Sequence, residues 1–138
     1  MAMPRPCART NEPGQEAVEF ALLLPVLVLI VFGVLDLGRA FHAAITITNA
    51  ARVGARYGMV YPSDEAGIIA ATIAEADGSG IVLNDDGVVD DIEVGCPEGC
   101  GQGLPIRVTV NYTFTLITGM VLPDPNIQMT RYEEMMVP

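Results

Sequence analysis

Sixteen consecutive residues, Phe20 to Leu35 (FALLLPVLVLIVFGVL), carry no charge and are bracketed by Glu19 and Asp36. As a helix this run rises about 24 Å, at about 1.5 Å per residue. A hydrocarbon core about 30 Å thick calls for about 20 residues and at least about 17, so a span has to take in Ala17 and Val18. The candidate span is therefore 17–35, with Glu19 at or inside the membrane edge. A carboxylate at that depth costs about 2.5–3.5 kcal/mol on insertion scales, and it needs a partner or an escape route. The bare segment leaves both open: Glu19 snorkels into the headgroups, or it serves a site whose partner must be found.

The rest of the composition restricts what such a chain does. Seventeen acidic residues face seven basic ones, all Arg and none in a run, for a formal net charge of -10 over 138 residues. A nucleic-acid binder needs clustered cations to displace counterions from phosphate, so that class is excluded. The length allows one small domain besides the apolar segment. Arg5 and Arg9 before the span favour an N-terminus in the cytoplasm, against a contrary signal from Arg39, Arg52 and Arg56 beyond it. A cleaved secretory signal is a competing reading, with Gly38, Arg39 and Ala40 as the cut site. It fits poorly, because Glu12, Glu16 and Glu19 make the approach acidic and helical patterning continues past the supposed cut.

Beyond Asp36 the helix is expected to continue, with Leu37, Phe41, Ala44, Thr48, Ala51 and Ala55 recurring along one face. Gly54, Gly58 and Pro62 end it near Tyr57 to Tyr61, and Pro25 predicts a local kink or loosening within the apolar half. A second helix is expected to begin at Ser63 as cap, to carry an apolar face from Ile68 to Ile73, and to close at Gly78 to Gly80. Short β-type runs follow at Ile81–Leu83, Val88–Val94 and Ile106–Ile117. The last alternates Ile106, Val108, Val110, Tyr112, Phe114 and Leu116 against Arg107, Thr109, Asn111, Thr113 and Thr115, the pattern of a half-buried strand. The expected fold class is α+β: a long N-terminal helix, a short helix and a small antiparallel sheet. Periodicity alone equally permits a sheet with a detached anchor.

The residues from Gly14 to Pro25 (GQEAVEFALLLP), continued by Phe32 to Arg39 (FGVLDLGR), carry a more specific signal. A Gly, a Glu at the fifth following position and an unbroken apolar helix resemble the processing site of type IV pilin-like proteins. The longer stretch is similar to the TadE-like family, minor pilin-like components (pseudopilins) of tight-adherence (Tad/Flp) pili. The resemblance extends through Asn49 to Arg56 (NAARVGAR) and returns weakly at Ile106 to Phe114 and Arg131 to Glu133. Glu16 departs from the family pattern, which favours small neutral residues there. The resemblance implies a leader peptide over 1–14, cleavage by an inner-membrane prepilin peptidase between Gly14 and Gln15, a helix over 15–60, and an extracytoplasmic head over 61–138. It implies that Glu19 pairs with the new N-terminal ammonium of Gln15, in its own or an adjoining subunit, with Phe20 beside it in assembly. The implied partners are other pilins or pseudopilins, the Tad assembly platform and the lipid bilayer. The implied location is the bacterial cytoplasmic membrane, single-pass with the N-terminus inside, or the pilus itself.

Three cysteines are present, and removal of a leader would take Cys7 with it and leave Cys96 and Cys100. Pro97 and Gly99 allow a loop tight enough for a disulfide; free thiols remain an alternative, and a zinc site lacks ligands because the one His, His42, lies far back on the helix. Asn84, Asp86 and Glu93 can be set in the ligand places of a calcium loop around Gly87, but Val82 occupies the first, so a solvated acidic turn is the simpler reading. With no Lys, one His and no nucleophile or phosphate-loop motif, the sequence offers no catalytic residues, no metal set and no cofactor site. The expected role is therefore structural, in pilus assembly. The competing reading is an unprocessed bitopic protein that holds an envelope partner, and a secreted hydrolase is a more remote one.

Overall fold

The computed structural model describes residues 13–83, 91–120 and 124–138. Residues 1–12 of the expected leader, the acidic segment 84–90 with Asn84, Asp86 and Gly87 of the calcium reading, and residues 121–123 lie outside the described residues. The elements in chain order are α1 (Pro13–Val60), α2 (Glu65–Gly78), β1 (Ile92–Gly95), β2 (Pro105–Thr115), a 3-10 turn (Ile117–Met120) and β3 (Asn126–Met136). This is the α+β layout expected from the sequence.

Helix α1 runs without interruption for 48 residues and stays helical through Pro25. Its two halves live in different surroundings. From Gly14 to Leu35 every residue is exposed within the chain, whereas from Asp36 onward one face forms part of the head's core. The anchor and the domain are therefore one element, and the detached-anchor alternative is overturned.

The buried face differs from the expected stripe. Of the expected residues, Ala51 and Ala55 are buried and Ala44 and Thr48 half-buried, but Leu37 and Phe41 are 57% and 62% exposed, and Asp36, Ala43 and Ile47 are buried in their stead. The seam is rotated by about one residue along the first turns. In a stretch apolar on nearly every side, periodicity cannot select the buried face; close approach does. Gly54 and Gly58 sit where the other layers press in: a Cβ at 54 would fall 2.1 Å from Thr72 Oγ1, and one at 58 would fall 2.7 Å from Ile106 Cδ1. Those two positions seat α2 and β2 on the helix.

The N-cap of α2 is Asp64, not Ser63: its Oδ1 accepts from Gly67 N at 3.0 Å. Asp64 Oδ2 also accepts from Tyr57 Oη at 2.9 Å, so the cap is shared with the last turn of α1, a contact the neighbouring Ser63 does not make. Tyr57 hydroxyl ionisation is pushed up by that hydrogen bond to Asp64. At the other end Gly80 takes φ +77°, its N–H meets Asp77 O, and Ile81 N meets Ala76 O. This left-handed C-terminal closure is one that glycine adopts at low cost. It turns Ile81 and Leu83 back into the core as buried plugs, so Ile81–Leu83 is not a strand.

The sheet is antiparallel in the order β1-β2-β3. Strand β2 keeps the predicted alternation, with Ile106, Val108, Val110 and Phe114 buried and Arg107, Thr113 and Thr115 exposed. Of the expected run Val88–Val94, residues 88–90 lie outside the described residues; strand β1 pairs Ile92 with Val110 through Gly95 with Arg107. Strand β3 is absent from the sequence expectation. Its eleven residues pair along all of β2, yet none is buried, so it has no apolar alternation to announce it. Its signal is cross-strand chemistry: Arg107 with Glu134, Asn111 with Thr130, Thr113 with Gln128 and Thr115 with Asn126.

Candidate functional site: the bare helix and its junction with the head

At the N-terminal end, Gly14 and Gln15 lie in the first turn of α1 and are exposed. Gln15 Nε2 donates to Glu19 Oε1 at 3.2 Å, one turn along the same helix. A pair of this kind on a helix surface contributes about 0.2–0.5 kcal/mol. Phe20 is 65% exposed beside it. The processing and assembly residues inferred from sequence thus sit together at one end of a helix. That helix contains a window of mean hydropathy 2.8 in which no residue is buried by the rest of the chain. By length and composition it can cross a membrane.

Where the bare half of α1 meets the head, Asp36 is 3% exposed and takes hydrogen bonds from two elements. Ile117 N donates to Oδ1 at 3.0 Å, Thr118 N and Thr118 Oγ1 donate to Oδ2 at 2.8 Å each, and Arg39 Nη1 donates to Oδ1 at 2.9 Å. Asp36 thereby caps the 3-10 turn, satisfying backbone N–H groups that otherwise lack partners. The Thr118 backbone N–H, chiefly, outweighs the opposing cost of burial, and with the Ile117 N–H, the Thr118 hydroxyl and Arg39 it holds the carboxyl down at about 2. Arg39 lies over the Phe114 ring with its guanidinium carbon 5.0 Å from the centroid. The helix, the end of β2 and the turn are therefore fastened at one point, immediately past the last residue of the apolar run.

In the sequence Asp36 stands out as the boundary of the apolar run and as part of the family-like stretch, with no role of its own, and Thr118 does not stand out at all. The available signal was a carboxylate directly after sixteen uncharged residues, followed by Arg39 at the helical spacing of three. Its backbone donors are 81 and 82 residues away, which no local pattern reveals.

Further up, Arg52 pairs with Glu133 of β3 at 3.1 Å, both partly exposed. Cys96 and Cys100 lie in the loop after β1 with their Cα atoms 5.2 Å apart and their sulfurs bonded. Among the described residues no group of three or more His, Cys, Asp and Glu is placed to hold a metal ion. A cavity of about 580 Å³ is lined by Arg39, Asp91, Tyr112, Thr113 and Thr115 together with Gly80 and Val82. Neither Cys nor His is among the residues that line it.

The model of the TadE-like protein family matches residues 14–56, about a third of the chain and the segment on which the sequence resemblance was strongest. The family points to a protein associated with Tad pili and held by its N-terminal apolar helix at a membrane. No curated protein and no solved structure matches the chain.

Proposed function

We propose that this chain is a minor pilin or pseudopilin of a Tad pilus, inserted in the cytoplasmic membrane with its N-terminus inside and cut after Gly14 by a prepilin peptidase. The observation that carries the reading is the division of α1. One continuous helix begins with the family-matching segment, leaves residues 14–35 exposed, and then contributes to the head's own core. A helix fixed so firmly at one end and bare at the other is built to be surrounded by something else, first lipid and then neighbouring pilin helices.

In this reading the span covers 17–35, the helix 15–60 and the outward head 61–138. Glu19 supplies the polar contact that sets register, by pairing with the Gln15 ammonium of its own or a neighbouring subunit, and Phe20 packs beside it. An opposite charge offsets the desolvation that a lone carboxylate would suffer in the bilayer. The role is structural, and no step of bond chemistry is assigned to the protein. The Cys96–Cys100 bond closes the loop after β1 in an oxidising compartment.

Two measurements test the proposal. The intact mass of membrane-extracted protein should show a chain starting at Gln15 only when the prepilin peptidase is present. Glu19→Ala should abolish incorporation into the pilus or its initiation complex while membrane insertion persists. If residues 1–14 are retained in both backgrounds and Glu19→Ala leaves the protein's associations unchanged, the unprocessed bitopic accessory protein replaces this account.

A further inference from the structure

We propose that Gln15, once it becomes the first residue, closes its side chain onto its own amine to give a pyroglutamyl N-terminus, and that Glu19 is the group that delays this. The inference rests on cleavage after Gly14 as proposed above. Gln15 is exposed in the first turn, and a Cβ placed on Gly14 would meet nothing within 4 Å among the described residues. The Gln15 carboxamide is turned along the helix toward Glu19, with Nε2 held at 3.2 Å from Oε1. That direction takes the side chain away from the backbone nitrogen that cleavage would turn into an amine.

The closing step balances within the residue. The amine lone pair attacks Cδ of the same side chain, a C–N bond forms, and the bond from Cδ to Nε2 breaks. The departing nitrogen takes the proton given up by the attacking amine and leaves as ammonia. No oxidant or co-reactant is required. Glutamine alone combines a five-membered ring with an amide leaving group at this position; Glu16, one residue later, has no free amine.

Two restraints oppose the closure, and their sizes differ. The hydrogen bond to Glu19 has to break, but an exposed contact one helical turn apart slows a reaction by only about two-fold. The amine must also shed its proton, and a nearby carboxylate stabilises the protonated form, which has no lone pair to attack with. Chains whose ammonium is docked on a Glu19 carboxylate therefore stay open, whereas undocked chains close. The lactam keeps one N–H donor and loses the positive charge, so a closed chain no longer offers a cation to a neighbour's Glu19.

The test uses full-length protein expressed with the active peptidase, extracted in detergent and held at neutral pH while the mass of its N-terminal peptide is followed. Wild type should accumulate a species beginning at position 15 and lighter by one ammonia. Glu19→Ala should accumulate it at least about two-fold faster, and Gln15→Ala should never form it. A chain that begins at Gln15 and keeps its ammonia in both wild type and Glu19→Ala overturns the inference while leaving the processing intact. Equal rates in those two proteins overturn the delaying role of Glu19. Retention of residues 1–14 overturns this inference and the processing together.

Discussion

Gly54→Ala is the substitution whose cost the structure sets most directly. The added Cβ would stand 2.1 Å from Thr72 Oγ1 and 3.3 Å from Val108 Cγ1. Thr72 is fully buried, and its hydroxyl donates to Ile68 O at 2.8 Å. Relief therefore requires Thr72 to turn, which leaves a buried hydroxyl without its acceptor at about 1–3 kcal/mol and crowds Val108 at a comparable cost. Against this, Ala in place of Gly favours the helix by about 1 kcal/mol. The expected net loss is about 2 kcal/mol, or roughly 8 °C in melting temperature for a folded head of this size. The discriminating experiment is a double-mutant cycle with Thr72→Ala, read by scanning calorimetry in detergent micelles. Once Thr72 is cut back, the new methyl keeps its contacts with Val108 Cγ1 at 3.3 Å and with the Cβ at position 72 at 3.4 Å, and the clash with the hydroxyl is gone. In that background Gly54→Ala should cost nothing or stabilise, giving a coupling of about 2–3 kcal/mol between the two sites. Additivity to within about 0.5 kcal/mol would refute the claim that α1 and α2 are held at this distance by the missing side chain.

The remaining expectations concern the junction and the loop. Asp36 has its carboxyl lowered from 3.8 to about 2. Its contribution is therefore complete above about pH 4 and is lost as the pH falls through about 2. Asp36→Asn should flatten the fall of head stability across that window, and an acid titration as steep in the variant as in wild type would show that the clamp does not depend on the charge. Reduction of Cys96–Cys100, which closes a loop with a sequence separation of 4, should lower head stability by about 2 kcal/mol. An oxidised protein whose mass is not two hydrogens below that of the reduced form would remove that bond from the account.

What the sequence revealed and what it hid follow from how far apart the causes lie. The apolar run, the alternation in β2 and the end of α1 each depend on neighbours within a few residues, and each was read correctly. The buried face of α1 depends on which side α2 and β2 can approach, and that is decided by Gly54 and Gly58 meeting Thr72, Ile68 and Ile106 from distant parts of the chain. Strand β3 gave no warning because it packs at the margin and is held by its pairing with β2, so its polar residues read as loop. Asp36 and Thr118 show the same limit most sharply. A carboxylate at the end of a span reads as a boundary marker until its backbone donors, more than eighty residues later, are brought to it. Gln15, Glu19 and Phe20, singled out by the family resemblance, fall within two turns of one helix.

The two carboxylates that bracket the apolar run divide the work of α1. Asp36 is spent inside the chain: both of its oxygens are occupied by the 3-10 turn and Arg39, and it is almost wholly buried. Among the described residues, the hydrogen-bond partner of Glu19 is the exposed Gln15 carboxamide, one turn away. Between them, large apolar side chains such as Leu22, Leu23, Leu27 and Ile30 stand 60–71% exposed. Burying each would be worth about 1.5–3 kcal/mol relative to water. Lipid supplies that gain before any protein partner arrives, so the hydrophobic effect cannot by itself select one helix neighbour over another in the bilayer. Selection falls to close packing and to the few polar groups available. Within the bare half of α1 those groups are Gln15, Glu16 and Glu19, all at one end. Changes at Asp36 should therefore loosen the angle between helix and head while leaving partner choice intact, and changes at Glu19 should do the reverse.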